Sequence, residues 1–203
     1  MYCLSQESEH LQKLIAAIHK VDSSYMYIGQ DLDDLQVERC FAYELYHQWR
    51  KLISKKTYKQ NYPDIILNGE ISKSVEGSST TYPDMVLHSG QNRPDGNYIV
   101  CEIKRNKTTN NAIIDDIIKL SKYLEFTTSF FNNKLQTIKY HEAAFIMFGI
   151  ESNELKENLI LKKTEIDADV ETDKQKKINI ISVLPREKRG NIVYCDNLNN
   201  ILG

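Results

Sequence analysis

Apolar residues recur along this chain at two spacings, and each change of spacing marks a change of element. Leu11, Leu14, Ile15 and Ile18 repeat at helical intervals, so residues 4–20 are expected to form an amphipathic helix packed at the edge of the domain. A second helical stripe, Phe41, Ala42, Leu45, Trp49 and Leu52, predicts a helix over 33–53, with Asp31, Asp33 and Asp34 supplying N-cap and first-turn acids. Residues 64–74 read as a strand or hairpin arm. Residues 82–105 read as two strands joined by a turn that holds Pro94, Gly96 and an Asp-Gly step. Residues 110–126 predict a helix with a wide apolar face built on Ile113, Ile114, Ile117, Ile118 and Leu120. Residues 142–150 are almost wholly apolar, as suits a central strand buried on both faces. The composition shifts at Glu151. A helix over 151–163, a charged mobile loop over 164–177 and short strands at 178–184 and 192–194 are expected. This tail either extends the sheet or forms a dimer contact. No internal repeat is present.

The pattern breaks most informatively in the second strand of the 82–105 pair. From Tyr98 onward it is β-branched, aromatic or apolar until Glu102 and Lys104. Side chains on a strand alternate between faces, so Glu102 and Lys104 share one face while Ile99, Cys101 and Ile103 take the other. Charged groups in such a strand are costly to bury unless something uses them. Asp84, at the mouth of the adjacent strand, brings a second carboxylate to the same place. Two carboxylates and a lysine are the equipment of a Mg²⁺-dependent phosphodiester-cleaving site, because Mg²⁺ prefers oxygen ligands. On the 33–53 helix, Glu38 lies three and four residues before Phe41 and Ala42 and so faces the core, whereas Glu44 falls on the solvated side.

Pro83-Asp84 followed by a strand carrying Glu102-x-Lys104 resembles the PD-(D/E)XK nuclease superfamily, and Glu38-Arg39 is similar to the Glu-Arg pair on the first core helix of many members. The resemblance covers about residues 35–150. It implies an α/β fold with a three-layer restriction-endonuclease-like core, a mixed central sheet flanked by helices. It divides the chain into a core of about 31–150, an N-terminal helix over 4–20 and a C-terminal extension over 151–203, all within one nuclease-like domain. It also implies Mg²⁺, for which Mn²⁺ substitutes, held by Asp84, Glu102 and the main-chain carbonyl of Ile103. Lys104 would act beside the attacking water, and Glu38 would assist through a water or a second ion. Asp115, Asp116 and Lys119 look like an Asp-x-x-Lys-Leu pattern on the following helix in some relatives. They read equally well as an ordinary helical charge pair.

Composition narrows the alternatives. The chain has 203 residues, 41% hydrophobic and 27% charged, which suits one soluble domain. A formal net charge of −2 means that any nucleic-acid contact must come from a local patch. Arg50, Lys51, Lys55, Lys56 and Lys59, interleaved with Trp49 and Tyr58, are a candidate patch or simply solvated surface. Cys3, Cys40, Cys101 and Cys195 form no paired motif and read as reduced thiols. With no signal-like N-terminus and no apolar run long enough for a bilayer, a cytoplasmic location is expected. Pro63-Asp64 repeats the Pro-Asp step, but Glu70 and Lys73 are three apart and would face opposite ways on a strand. Glu70 stays a weak extra candidate. The five histidines show no zinc-protease spacing, and His88 would share the Asp84 face as a strand-end surface residue. The expected activity is a Mg²⁺-dependent endonuclease acting on DNA ahead of RNA, with no membrane partner and a homodimer as a candidate assembly. The alternatives are a catalytically silent module of the same fold that binds nucleic acid or protein, and a stand-alone α/β protein with an accidental Glu-x-Lys pair.

Overall fold

A computed structural model of the protein describes residues 8–26, 34–69, 83–89, 96–106, 108–125, 127–131, 134–185 and 191–203, with the backbone alone for 34–36, 127–131 and 134–138. Among these, the first helix, α1 (Glu9–Ile18), opens on Ser8, whose hydroxyl accepts the Leu11 N–H. After a short 3-10 turn (Ser23–Met26) come α2 (Asp34–Ile53), α3 (Lys56–Asn61), β1 (Ile65–Gly69), β2 (Met85–Ser89), β3 (Asn97–Arg105) and α4 (Asn110–Tyr123). They are followed by β4 (Thr127–Phe131), β5 (Lys134–Ile138), β6 (Glu142–Phe148), α5 (Ser152–Leu161), α6 (Lys163–Asp169), α7 (Thr172–Gln175), β7 (Ile178–Leu184), β8 (Ile192–Asn197) and α8 (Leu198–Leu202).

Six strands form one sheet in the order β1-β2-β3-β6-β7-β8, and β4 and β5 form a separate hairpin. The centre is parallel, β3 beside β6 and β6 beside β7, and the flanks are antiparallel. The two parallel steps each need a crossover, which α4 and then α5 to α7 supply. β6 is buried along both faces from Ala143 to Phe148, as its unbroken apolar run predicts.

The alternation on β3 divides the core into two layers. Ile99, Cys101 and Ile103 join Phe41, Leu45, Trp49 and the α1 leucines on one side. Val100 joins Ile113, Ile117 and Leu120 of α4, with α5, α6 and α8, on the other. Phe41 stacks on Phe148 with centroids 4.4 Å apart, which ties α2 to the end of β6. This is an α/β, three-layer arrangement of a mixed sheet between helices. No helix of the described residues is long and apolar enough to cross a membrane.

Several expectations need correction. The charged stretch 164–177 is not a loop: α6 and α7 occupy it, because Ile166 and Val170 are fully buried and anchor it in the core layer that α4 and α5 share. Of the two roles expected for the tail, extension of the sheet is the one the fold shows, with β7 in register against β6 from Ala143↔Ile178 to Phe148↔Val183. Trp49 and Tyr58 are buried, so they do not interleave with the lysines on the surface. Lys59 is turned back onto the Ile65 carbonyl at 2.8 Å. His88 is not a surface residue. It is buried at a register break in β2, with Nε2 2.9 Å from Asn68 Nδ2. Glu70 and the Asp31 and Asp33 acids lie outside the described residues. Cys40, Cys101 and Cys195 are in no disulfide.

Candidate active site

The site forms where β2 ends and β3 continues. The antiparallel ladder stops at Met85↔Cys101, so β3 beyond Cys101 loses its β2 partner. Two side chains take the ladder's place. Asp84 Oδ2 accepts the Ile103 N–H at 2.7 Å, and Glu38 Oε1 accepts the Arg105 N–H at 3.1 Å. N–H groups two residues apart point to the same edge of a strand, about 7 Å from one another. Asp84 and Glu38 therefore sit one after the other along the freed edge of β3. The Pro-Asp step at the strand mouth and the inward acid of α2 are both explained by backbone groups that need acceptors.

Glu102 and Lys104 project from the α4 side of β3, the side that holds Val100. The helix meets them with Asp116 and Lys119, one turn apart on the same flank. Lys119 Nζ lies 2.7 Å from Glu102 Oε1. Lys104 Nζ lies 3.4 Å from Asp116 Oδ2. The strand pair and the helix pair are thus crossed: each acid of one element meets the lysine of the other. Asp116 and Lys119 were the residues that read equally well as a local helical pair. Their signal in the sequence was the three-residue step on the flank of the apolar helix directly after Glu102-x-Lys104.

The electrostatics follow from burial. Glu102 is only 2% exposed. Its pKa is pushed well above the carboxylate range by loss of solvent and then by the Asp84 charge, which the Lys119 ammonium only partly offsets. Asp84 is raised to about 6, mainly by burial, against the pull of the Ile103 N–H and of Lys104 and Lys119. Burial opposes the charge of Lys104, but Asp116, Glu38, Asp84 and Glu102 outweigh it and hold its pKa above the ordinary value. Asp116 is raised by burial as well.

These six side chains test whether a divalent ion fits. Four carboxyl groups (Glu38, Asp84, Glu102, Asp116) face two ammonium groups (Lys104, Lys119); with all four ionised the formal balance is −2, and burial favours protons on Glu102 and Asp84 that a dication would displace. The donors are carboxylate oxygens, the hard ligands Mg²⁺ prefers. Among the described residues no group of three or more His, Cys, Asp or Glu side chains is placed to hold a metal ion together. Asp84 and Glu102 would therefore act as a pair, with the Ile103 carbonyl and water completing the shell. Glu38 is held on the Arg105 N–H and does not form a third ligand with them.

The sequence matches no family model and no curated protein. The structure is similar to that of NucC from P. aeruginosa ATCC27853 in its cAAA-bound form, at 11% identity and TM-score 0.43, covering 97% of this chain and 88% of that one. It is also similar to SfsA from Pyrococcus furiosus in complex with Ca²⁺, at 13% identity and TM-score 0.32, covering 74% of this chain and 62% of that one. The fold itself is α/β, a mixed six-stranded sheet between helices. The chemistry of the site rests on its own geometry.

Proposed function

We propose that the protein is a metal-dependent nuclease that hydrolyses phosphodiester bonds, with DNA as the first substrate to test. The observation that carries this reading is the convergence of Asp84, Glu102 and Lys104 at the carboxyl end of β3, where open α/β sheets bind their ligands. A Mg²⁺ or Mn²⁺ ion bound there would polarise the phosphate and lower the pKa of a coordinated water. Asp84 and Glu102 would hold the ion. Asp84 is pre-aimed by the Ile103 N–H. Lys104, kept cationic by its carboxylate neighbours, would orient the attacking water and stabilise charge on the phosphoryl oxygens. Glu38 would act as a positioning residue, fixing the path of β3 at Arg105.

A second feature supports a nucleic-acid substrate. Arg39, Tyr43, His47 and Arg50 are exposed along the outer side of α2, within about 80° of arc at about 100° per residue. Lys51, Lys55 and Lys56 continue the basic run, and the one acid between 39 and 60 is Glu44, half-buried and accepting from Gln48. The helix dipole accounts for cations in the last turn but not for Arg39 near the start. Tyr43 is 65% exposed, an aromatic face set among cations where an unpaired base could stack.

The test is cleavage of single-stranded and duplex DNA and RNA with Mg²⁺ or Mn²⁺, and with chelator. Metal-dependent cleavage that Asp84→Ala abolishes is the expected result. Binding without cleavage of any substrate would favour the silent module.

A further inference from the structure

We propose that Lys119 is a built-in stand-in for the metal: its ammonium occupies Glu102 Oε1 in the metal-free protein and competes with a divalent ion for that oxygen. The inference rests on the nuclease reading of the same site, and it assigns Lys119 a role in loading.

The argument starts from the cost of a charge. A carboxyl group that is 2% exposed needs partners for its oxygens, whether it carries a charge or a proton. On β3 the nearest candidate by sequence is Lys104, two residues on and on the same face. The structure gives Lys104 to Asp116 instead. Glu102 takes Lys119, whose Nζ lies 2.7 Å from Oε1. That oxygen belongs to one of the two carboxylates that would hold an ion, so ammonium and ion want the same acceptor. The lysine side chain is 23% exposed, which leaves it an open direction to swing toward. Lys104 instead pairs with Asp116, which is not one of the two carboxylates that would hold the ion, so the two lysines are not equivalent.

The same geometry makes the lysine an incomplete neutraliser. One ammonium serves Glu102 while Asp84 and Asp116 add their charges beside it. The site stays short of positive charge, and a dication supplies more than the lysine removes. Ion binding would then release Lys119 from Glu102, freeing its charge to face the phosphate. An orienting residue predicts the opposite behaviour. Outer partners that hold a metal ligand in position typically cost about 10- to 100-fold in affinity when removed, whereas removing a competing cation tightens binding.

The experiment is titration calorimetry of Mn²⁺ into wild type, Lys119→Met and Lys119→Arg, with circular dichroism melts to confirm folding. Lys119→Met is expected to bind Mn²⁺ about tenfold or more tightly than wild type, and Lys119→Arg, which keeps the charge, to bind like wild type. Equal or weaker binding by Lys119→Met overturns the proposal and leaves the nuclease reading standing if wild type binds. Binding by Lys119→Met alone supports the stand-in and counts against a metal-loaded wild-type enzyme. If no variant binds, both fall. Should Lys119→Met not fold, a wild-type-like affinity in Lys119→Gln overturns the proposal, and a tighter one supports it.

Discussion

Lys104 Nζ stands 3.4 Å from Asp116 Oδ2, so the lysine of the strand is held by the helix that follows it while its strand neighbour Glu102 pairs with Lys119. Asp116 is the largest of the charges that keep Lys104 protonated against the pull of burial. Asp116→Asn should therefore lower the pKa of Lys104 and move the alkaline limb of the cleavage rate to lower pH, with a modest loss at neutral pH. Lys104→Ala should cost about 10²- to 10³-fold in kcat. A pH–rate profile of the two variants separates the cases. An unshifted alkaline limb in Asp116→Asn would show that Asp116 has no hold on Lys104.

The buried acids make a prediction about stability. Glu102 is raised from 4.5 to about 8, chiefly by burial and then by Asp84, and Asp84 from 3.8 to about 6, chiefly by burial. Both therefore hold protons in the folded protein at pH values where the unfolded chain has lost them. The folded state binds more protons across that window, so metal-free stability falls as pH rises from about 4 to about 8. Glu102→Gln removes the larger of the two contributions. Relative to wild type, the variant's Tm should improve steadily across the window and level off above it. Melting curves at several pH values in chelator check this, and a pH-independent difference would rule it out.

The exposed stripe on α2 makes a prediction that does not involve the chemistry. Arg39→Glu combined with Arg50→Glu should weaken binding of a fluorescent single-stranded oligonucleotide and flatten its salt dependence by about one unit of slope per lost phosphate contact. Tyr43→Ala should weaken single-strand binding by about 1–3 kcal/mol and leave duplex binding nearly unchanged. Anisotropy titrations in chelator measure both without cleavage. Equal losses on single-stranded and duplex probes would exclude base stacking on Tyr43.

Much of the fold was legible from periodicity. The runs behind α2, β3, α4 and β6 are long, and each obeys one spacing, so their burial follows from geometry alone. Glu102 and Lys104 could be placed on one face because a strand has no other way to arrange residues two apart. The stretch now forming α6 and α7 misled, since its charges outnumber its apolar residues and only Ile166 and Val170 hold it down. β4 and β5 are short and mixed in composition, so no single spacing marks them in the sequence. The lysines near Trp49 and Tyr58 looked like a mixed basic and aromatic patch, because sequence order does not reveal that those two rings point inward.

By itself the sequence determined which residues share a face: the two core layers, the Glu102–Lys104 pair, the inward Glu38 and the buried centre of the sheet. These are properties of one element at a time, set by backbone repeats of 2 and about 3.6 residues. Only the tertiary structure decided which charges meet. Whether Lys119 reaches Asp116 on its own helix or Glu102 on the strand, and whether Glu38 reaches the Arg105 N–H, depends on how α4 and α2 sit against β3. That in turn depends on where β2 stops pairing. A local pair and a crossed pair have the same sequence spacing, and burial of Glu102 beside the helix is what tips the balance between them.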